Sequence, residues 1–172
     1  MASQAQRDAS RVEIRRAGAD GAAEAVAILR EVSEHFGLRG HLVWTSEELR
    51  EADFAAAAEA AELILGYAGG QPAATMLLQP DDRTYWPEAA PGTALYIHKV
   101  GVRRAFAGRG WLRRLVDFAA DDARSRGLGR LRLDTLPGPA LQSLYEGLGF
   151  SALVEPPYRV AGRTVIRMER LL

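Results

Sequence analysis

Between Leu95 and Thr135 the hydrophobic period changes twice. The stretch ALYIHKVGV (94–102) is rich in apolar and β-branched residues. From Trp111 to Arg126 the residues Leu112, Leu115, Val116, Ala119, Ala120 and Ala123 recur on one helical face, and RLRLDT (130–135) alternates again. Gly127 is placed to stop the helix. A strand, a helix and a strand in that order cannot close as a hairpin. The helix carries the chain back along the first strand, so the second strand runs parallel to it. All-helical and purely antiparallel folds are thereby excluded, and a sheet with at least one helix-covered parallel pair is required.

The remaining segments supply antiparallel neighbours. VEIRRA (12–17) alternates as a short strand, and Asp20 is positioned to cap a helix carrying Ala23, Val26, Ala27 and Leu29 to Val32. Ser46 followed by Glu47 and Glu48 heads a second helix, TSEELREADFAAAAEAA (45–61). Gly69-Gly70 divides two apolar runs and marks a hairpin. A helix starting near Pro137 puts Leu141, Leu144, Tyr145 and Leu148 on one face, and residues 149–172 read as two strands around a proline-containing loop. The expectation is a mixed α/β sheet of about seven strands flanked by about four helices. It forms a single domain over residues 11–172, after a disordered tail of residues 1–10.

A chain of 172 residues with 48% hydrophobic content suits one well-buried core. It has no apolar run of ~18 residues and its first residues lack the apolar middle of an export signal, so the expected location is cytoplasmic, with no membrane partner. Cysteine is absent, and His35, His41 and His98 are not spaced as metal ligands, so no metal is expected. Residues 1–100 hold 9 Lys+Arg against 15 Asp+Glu, whereas residues 101–172 hold 13 against 7. That division suits an anionic ligand on the second half and a cationic one nearer the first, or simply two solvated surfaces. The basic residues do not alternate with aromatics along one segment, which argues against a nucleic-acid partner.

The junction VGVRRAFAGRGWLRRLV (100–116) joins a strand to a helix through Gly108 and Gly110, with Arg103, Arg104, Arg109, Arg113 and Arg114 nearby. The first N–H groups of a helix lack intrahelical partners and lie at the positive end of its dipole, so a phosphate can sit against them. Glycine lets it approach the backbone. A dinucleotide-binding turn, with Asp134 as the ribose acid, is one rival, although Arg113 stands at its third glycine position. A tight turn with no ligand is another.

Leu95 to Leu115, together with ALQSLYEGLGF (140–150), resembles the GNAT superfamily of acetyl-coenzyme-A-dependent N-acetyltransferases. The family's Arg/Gln-x-x-Gly-x-Gly/Ala motif falls on Ala107-Gly108-Arg109-Gly110-Trp111-Leu112, where Gly110 matches and Ala107 and Leu112 depart. Leu144-Tyr145-Glu146 and Gly149-Phe150 match the second element closely, while Pro137 stands where an asparagine is often found. The resemblance covers about residues 61–155 and implies the family's mixed α/β fold. It also implies an N-acetyltransferase that binds acetyl-CoA through Ala107 to Leu112, with the Val100 and Val102 amides meeting the thioester carbonyl. The acceptor it implies is a small amine. His98 takes the place of a glutamate that accepts the amine proton in a number of members, and an imidazole can do so near neutral pH. A hydrogen-bonded structural histidine is the alternative. Tyr145 matches the tyrosine that protonates the departing thiolate, although its apolar face would also suit a core residue. Asp134 would orient His98, hold the amine or cap a helix. Tyr85, Trp86 and Tyr158 fall in loops that flank the acceptor in the family. Members often dimerise, and the C-terminal RTVIRMERLL is a candidate edge strand for a homodimer. A coenzyme-A-binding module without turnover is the alternative function.

Overall fold

The computed structural model describes residues 11–38, 40, 43–160 and 162–172. The expected tail of residues 1–10 and His41 lie outside the described residues. Eight strands and four α-helices are present among them: β1 (Val12–Arg16), α1 (Ala22–Gly37), α2 (Glu51–Glu59), β2 (Leu63–Ala68), β3 (Gln71–Gln79), β4 (Leu95–Val102), α3 (Trp111–Ser125), β5 (Arg130–Thr135), α4 (Pro139–Glu146), β6 (Ser151–Ala152), β7 (Tyr158–Val160) and β8 (Arg163–Leu171). No described helix is long and apolar enough to cross a membrane. The chain divides into two compact units, one of residues up to Leu77 with Lys99–Leu115, the other of Leu78–His98 with Val116–Leu172.

In the first unit β1 pairs antiparallel with β2, and β2 with β3. Gly69 and Gly70, at φ 56° and 80°, make the two-residue turn of the second pair, which needs a positive φ at both positions. Ala22, Ala25, Val26, Ile28 and Leu29 of α1, Phe54 and Ala58 of α2, and Leu63 and Leu65 of β2 form a continuous apolar cluster. Each fully buried large side chain there contributes about 1.5–3 kcal/mol relative to exposure. The helix starts differ from expectation. Asp20 lies in a 3-10 turn and Gly21 caps α1, with no side-chain cap bond. Ser46 stands at the start of a 3-10 turn, likewise with no side-chain cap bond. The second helix is split into a 3-10 turn, Glu47–Leu49, and α2, and the reciprocal carboxylate contact runs from the Thr45 amide to Glu48 at 2.9 Å.

In the second unit β4 and β5 are parallel over Leu95–Ile97 and Leu131–Leu133, as the strand-helix-strand order requires. β5 pairs antiparallel with β8 along its whole length. The C-terminal segment holds three strands rather than two, because β8 takes both β6 and β7 on its other side. That arrangement covers part of the edge expected at RTVIRMERLL. Tyr158 to Val160 pair with Arg163 to Val165, β5 pairs with Ile166 to Leu171, and Ser151 and Ala152 pair with Glu169 and Met168, so every residue of β8 has a partner and Met168 and Glu169 have two.

Candidate active site

In the first unit, β4 ends in a 3-10 turn, Arg104–Phe106, after which Ala107 is extended and Gly108 and Gly110 take φ 74° and 78°. The turn is held from α1, where Glu31 accepts the Arg104 amide at 2.7 Å, and from β3, where the Ala73 carbonyl accepts the Arg103 amide at 2.9 Å. Trp111 opens α3 with its indole buried; a Cβ on Gly66 would stand only 2.6 Å from that ring, so only glycine fits there. Trp111 thus anchors the helix start through its side chain and can offer a ligand only its backbone. The Gly110 carbonyl accepts the Arg114 amide at 3.2 Å, which leaves the Trp111, Leu112 and Arg113 amides as the first turn of the helix. Nothing lies within 4 Å of where a Cβ would stand on Gly108 or Gly110. This open backbone ahead of a 15-residue helix, with exposed Arg109 over the Phe106 ring at 5.6 Å, fits the diphosphate of a coenzyme.

Upstream in the same unit, Lys99 has φ 49°, a left-handed conformation that costs a non-glycine residue roughly 1–3 kcal/mol. Its ammonium pairs with Glu48 at 3.3 Å and lies 5.4 Å from the centre of the Trp44 ring. The reversal interrupts the regular alternation of β4 just before Val100 and Val102, the amides expected to meet a carbonyl.

In the second unit, the parallel ladder ends at Ile97 and Leu133, and the next residue on each strand is His98 and Asp134. Ligands of parallel sheets bind beyond such carboxyl ends, where the strands stop pairing. His98 Nδ1 lies 3.5 Å from Asp134 Oδ1, and His98 Nε2 lies 3.3 Å from Oδ2 of Asp82. Asp82 was not among the residues marked by the sequence. It is buried in the loop after β3, where its Oδ1 accepts the Thr84 and Tyr85 amides at 3.0 and 2.9 Å. Burial alone would raise its pKa; the His98 contact and those two amides outweigh it and hold the carboxyl below its ordinary value. The Tyr85 ring lies 6.4 Å from the imidazole. Asp82, His98 and Asp134 each present a ligand atom within 4.8 Å of the others, so among the described residues these could also hold a divalent cation.

Tyr145, on α4, packs edge-on to Phe150 at 6.0 Å. Burial, aided by the Asp134 charge, pushes its hydroxyl up to about 12. Trp86 is buried against Ala94 and Tyr96. Its ring and that of Tyr158 each lie near the guanidinium of Arg167, at 4.9 and 4.5 Å. Arg167 itself is only 7% exposed, donates twice to Glu155 and once each to Glu88 and the Tyr85 carbonyl, and so fastens the loop carrying Asp82 to β8. The structure therefore gathers His98, Asp134 and Tyr85 with the unforeseen Asp82, and places Trp86, in that loop, and Tyr158, which opens strand β7 rather than lying in a loop as expected, against Arg167. A sequence signal for Asp82 existed only as turn chemistry, since Asp two residues ahead of Thr84 in a Pro-Asp-Asp stretch favours a side-chain-capped turn.

The model of the acetyltransferase (GNAT) family matches residues 27–150, which run through both units. The Bacillus subtilis N-acetyltransferase YesJ, itself uncharacterized, is 32% identical over 83 residues; the match spans 45% of this chain and 46% of that protein, under half the length of each. A GNAT-family acetyltransferase of Listeria monocytogenes superposes with a TM-score of 0.78 at 18% identity, covering 95% of this chain and 96% of that one. The Salmonella typhimurium protein yncA, solved with its cofactor acetyl-CoA, superposes with a TM-score of 0.71 at 19% identity over 95% of each chain.

Proposed function

This chain belongs to the acetyltransferase (GNAT) family, and from that premise we propose that it moves an acetyl group from acetyl-CoA to a small primary amine, with His98 as general base and Tyr145 as general acid. The observation that carries the reading is His98 at the point where β4 and β5 stop pairing, in contact with two carboxylates. Acetyl transfer from a thioester needs an uncharged nitrogen nucleophile, a polarised carbonyl and a proton for the thiolate. His98 takes the amine proton. The backbone of Val100 and Val102 meets the carbonyl, and the Ala107–Leu112 turn holds the diphosphate. Tyr145 keeps its proton throughout neutral and mildly alkaline solution, because its pKa of about 12 lies above that range. This reading uses no metal, although Asp82, His98 and Asp134 have the donor set for a divalent cation, and a chelator distinguishes the two cases.

Incubation with labelled acetyl-CoA and a panel of primary amines tests the proposal. Labelled amide forms, coenzyme A is released in equal amount, and EDTA leaves the rate unchanged. Binding of acetyl-CoA without transfer to any amine would indicate a coenzyme-binding module instead, and loss of the rate in EDTA would move Asp82, His98 and Asp134 to a metal centre.

Tyr145→Phe separates the acid from a core-filling role. The ring contact with Phe150 survives, so the melting temperature and acetyl-CoA affinity stay near wild type. Single-turnover transfer falls by roughly 10²-fold because only the hydroxyl is lost. In the wild type, Tyr145 gives no falling limb in the rate–pH profile until pH approaches about 12. An unchanged single-turnover rate would leave solvent as the proton source.

A further inference from the structure

Asp82 carries an oxygen that the fold leaves unmatched. Its side chain is only 5% exposed, and Oδ1 is taken by the Thr84 and Tyr85 amides. Oδ2 is buried and accepts no hydrogen bond among the described residues, although it lies 3.3 Å from His98 Nε2. A buried carboxylate oxygen is ordinarily matched by a donor or by a cation. Here its nearest neighbour is a nitrogen that does not donate to it, and the two atoms stand side by side, as ligands do about a common ion.

The spacing and the supports agree with that reading. Zinc holds imidazole nitrogen and carboxylate oxygen at about 2.0–2.2 Å, so neighbouring ligands stand about 3.0–3.4 Å apart. Ring nitrogens of His98 lie 3.3 Å from Asp82 and 3.5 Å from Asp134. An imidazole ligates through one nitrogen, so filling the site draws one carboxylate inward; one ligand atom from each residue already lies within 4.8 Å of the other two. Asp134 has a further contact in the fold, and ligation can leave it in place because an ionised carboxylate has about four lone-pair sites. His98 and Asp134 stand on paired strands, and the loop bearing Asp82 is tied to β8 through Arg167, whose charge is met by Glu155 and Glu88. Bonds of this kind orient a ligand before the metal arrives.

The donor set also selects the ion. One imidazole and two carboxylates suit zinc and its first-row neighbours. Calcium takes about six to eight oxygens and magnesium keeps much of its water, so this set suits neither. Soft ions such as copper(I) lack the thiolate they prefer, since the chain has no cysteine.

We propose that Asp82, His98 and Asp134 form a binding site for a first-row divalent cation such as zinc, and that filling it withdraws His98 from proton transfer and halts the reaction. The site stands on the geometry alone; its effect on transfer rests on His98 being the base. Coordination displaces any proton on the ligating nitrogen to solvent, and the other ring nitrogen keeps its hydrogen. No lone pair is then left for the amine's proton.

Zinc chloride titrated calorimetrically into the full chain, first freed of metal with EDTA and exchanged into fresh buffer, should bind one ion per chain. Asp82→Asn, Asp134→Asn and His98→Ala should each weaken that binding about tenfold or more, since loss of an outer-shell partner alone costs roughly 10–100-fold. His35→Ala should leave it unchanged, and excess magnesium should not displace the zinc. Melting curves establish that each variant is folded, and His98→Phe, which keeps a ring at that position, serves if His98→Ala does not fold. In transfer assays zinc should inhibit with its half-effect at the measured dissociation constant, EDTA should restore the rate, and the inhibition curve of Asp134→Asn should shift by the same factor as its zinc binding. That shared shift ties inhibition to this site rather than to the thiol product. Absence of one-to-one binding, unaltered binding in the folded His98 variant, or displacement by magnesium would overturn the site. Zinc bound at these residues with transfer unchanged or faster would uphold the site and overturn both the inhibition and His98 as base. Absence of transfer in the zinc-free protein would count against the reaction and leave the binding result standing.

Discussion

Gly110→Val should weaken acetyl-CoA binding on the order of 10²-fold while the protein remains folded, because the anion site is made of backbone that a side chain would cover. Two physical effects add. Gly110 has φ 78°, where a β-branched residue is strained by roughly 1–2 kcal/mol. The second effect is obstruction: the added carbons enter the open space ahead of the Trp111 amide, where no protein atom lies within 4 Å of the new Cβ. The same emptiness means that no internal clash accompanies the change, so the fold bears only the dihedral strain. Gly110→Ala carries the strain with less obstruction and should fall between the two. Arg109→Ala should weaken binding modestly, and more so at low salt, as befits an exposed charge. Isothermal titration with acetyl-CoA, alongside a melting curve, checks the series. Unchanged affinity in folded Gly110→Val would remove the turn from the binding site.

His98→Ala carries the second large effect. Turnover should drop by ~10²-fold or more with acetyl-CoA affinity preserved, since a positioned base is typically worth that much. The substitution also leaves Asp82 Oδ2 buried without the nitrogen it faces, at a cost of about 1–3 kcal/mol, and the melting temperature should fall accordingly. The pH dependence of that loss has a definite sign. In the wild type the folded-state pKa of Asp82 is depressed, so its stabilising contribution is present above the unfolded pKa and disappears as pH falls through the depressed value. Without His98 the opposing effect of burial gains ground, the carboxyl protonates at higher pH, and acid unfolding begins earlier. Acid titrations of both proteins followed by circular dichroism test this, and coincident acid midpoints would contradict the assignment of His98 as the partner of Asp82. Wild-type turnover in the folded variant would transfer the proton to water or to Asp134.

What the sequence discloses here follows from how local each determinant is. The span from β4 to β5 was legible because its two changes of period and its glycines act within a few residues of themselves, and the strand, turn, helix and second strand all stand where the pattern puts them. The Gly69-Gly70 hairpin is legible for the same reason. Helix starts were less so: Asp20 and Ser46 have capping chemistry, yet Gly21 and Arg50 hold the cap positions, because a 3-10 turn precedes each helix. β6 is two residues long and has no period to read. Lys99 gives no warning that it will adopt a left-handed conformation. Arg167, and Asp82 beyond its turn chemistry, give no local signal because their partners lie 12 or 79 residues away in Glu155 and Glu88 and 16 residues away in His98; only the folded loop brings them together.

The arginine behind that loop sets when its ordering entropy is spent. Arg167 binds Glu88, Glu155 and the Tyr85 carbonyl within the fold itself, so the conformational freedom of the Asp82 loop is surrendered during folding. A ligand that binds against this loop would find it already ordered, which lowers the entropic cost of binding. The same arrangement limits this loop as a place to engineer. Substituting Glu88 or Glu155 would unbalance a buried guanidinium and loosen the loop that carries Asp82. Thr84, exposed and engaged through its backbone amide alone, can change its side chain without touching that arginine.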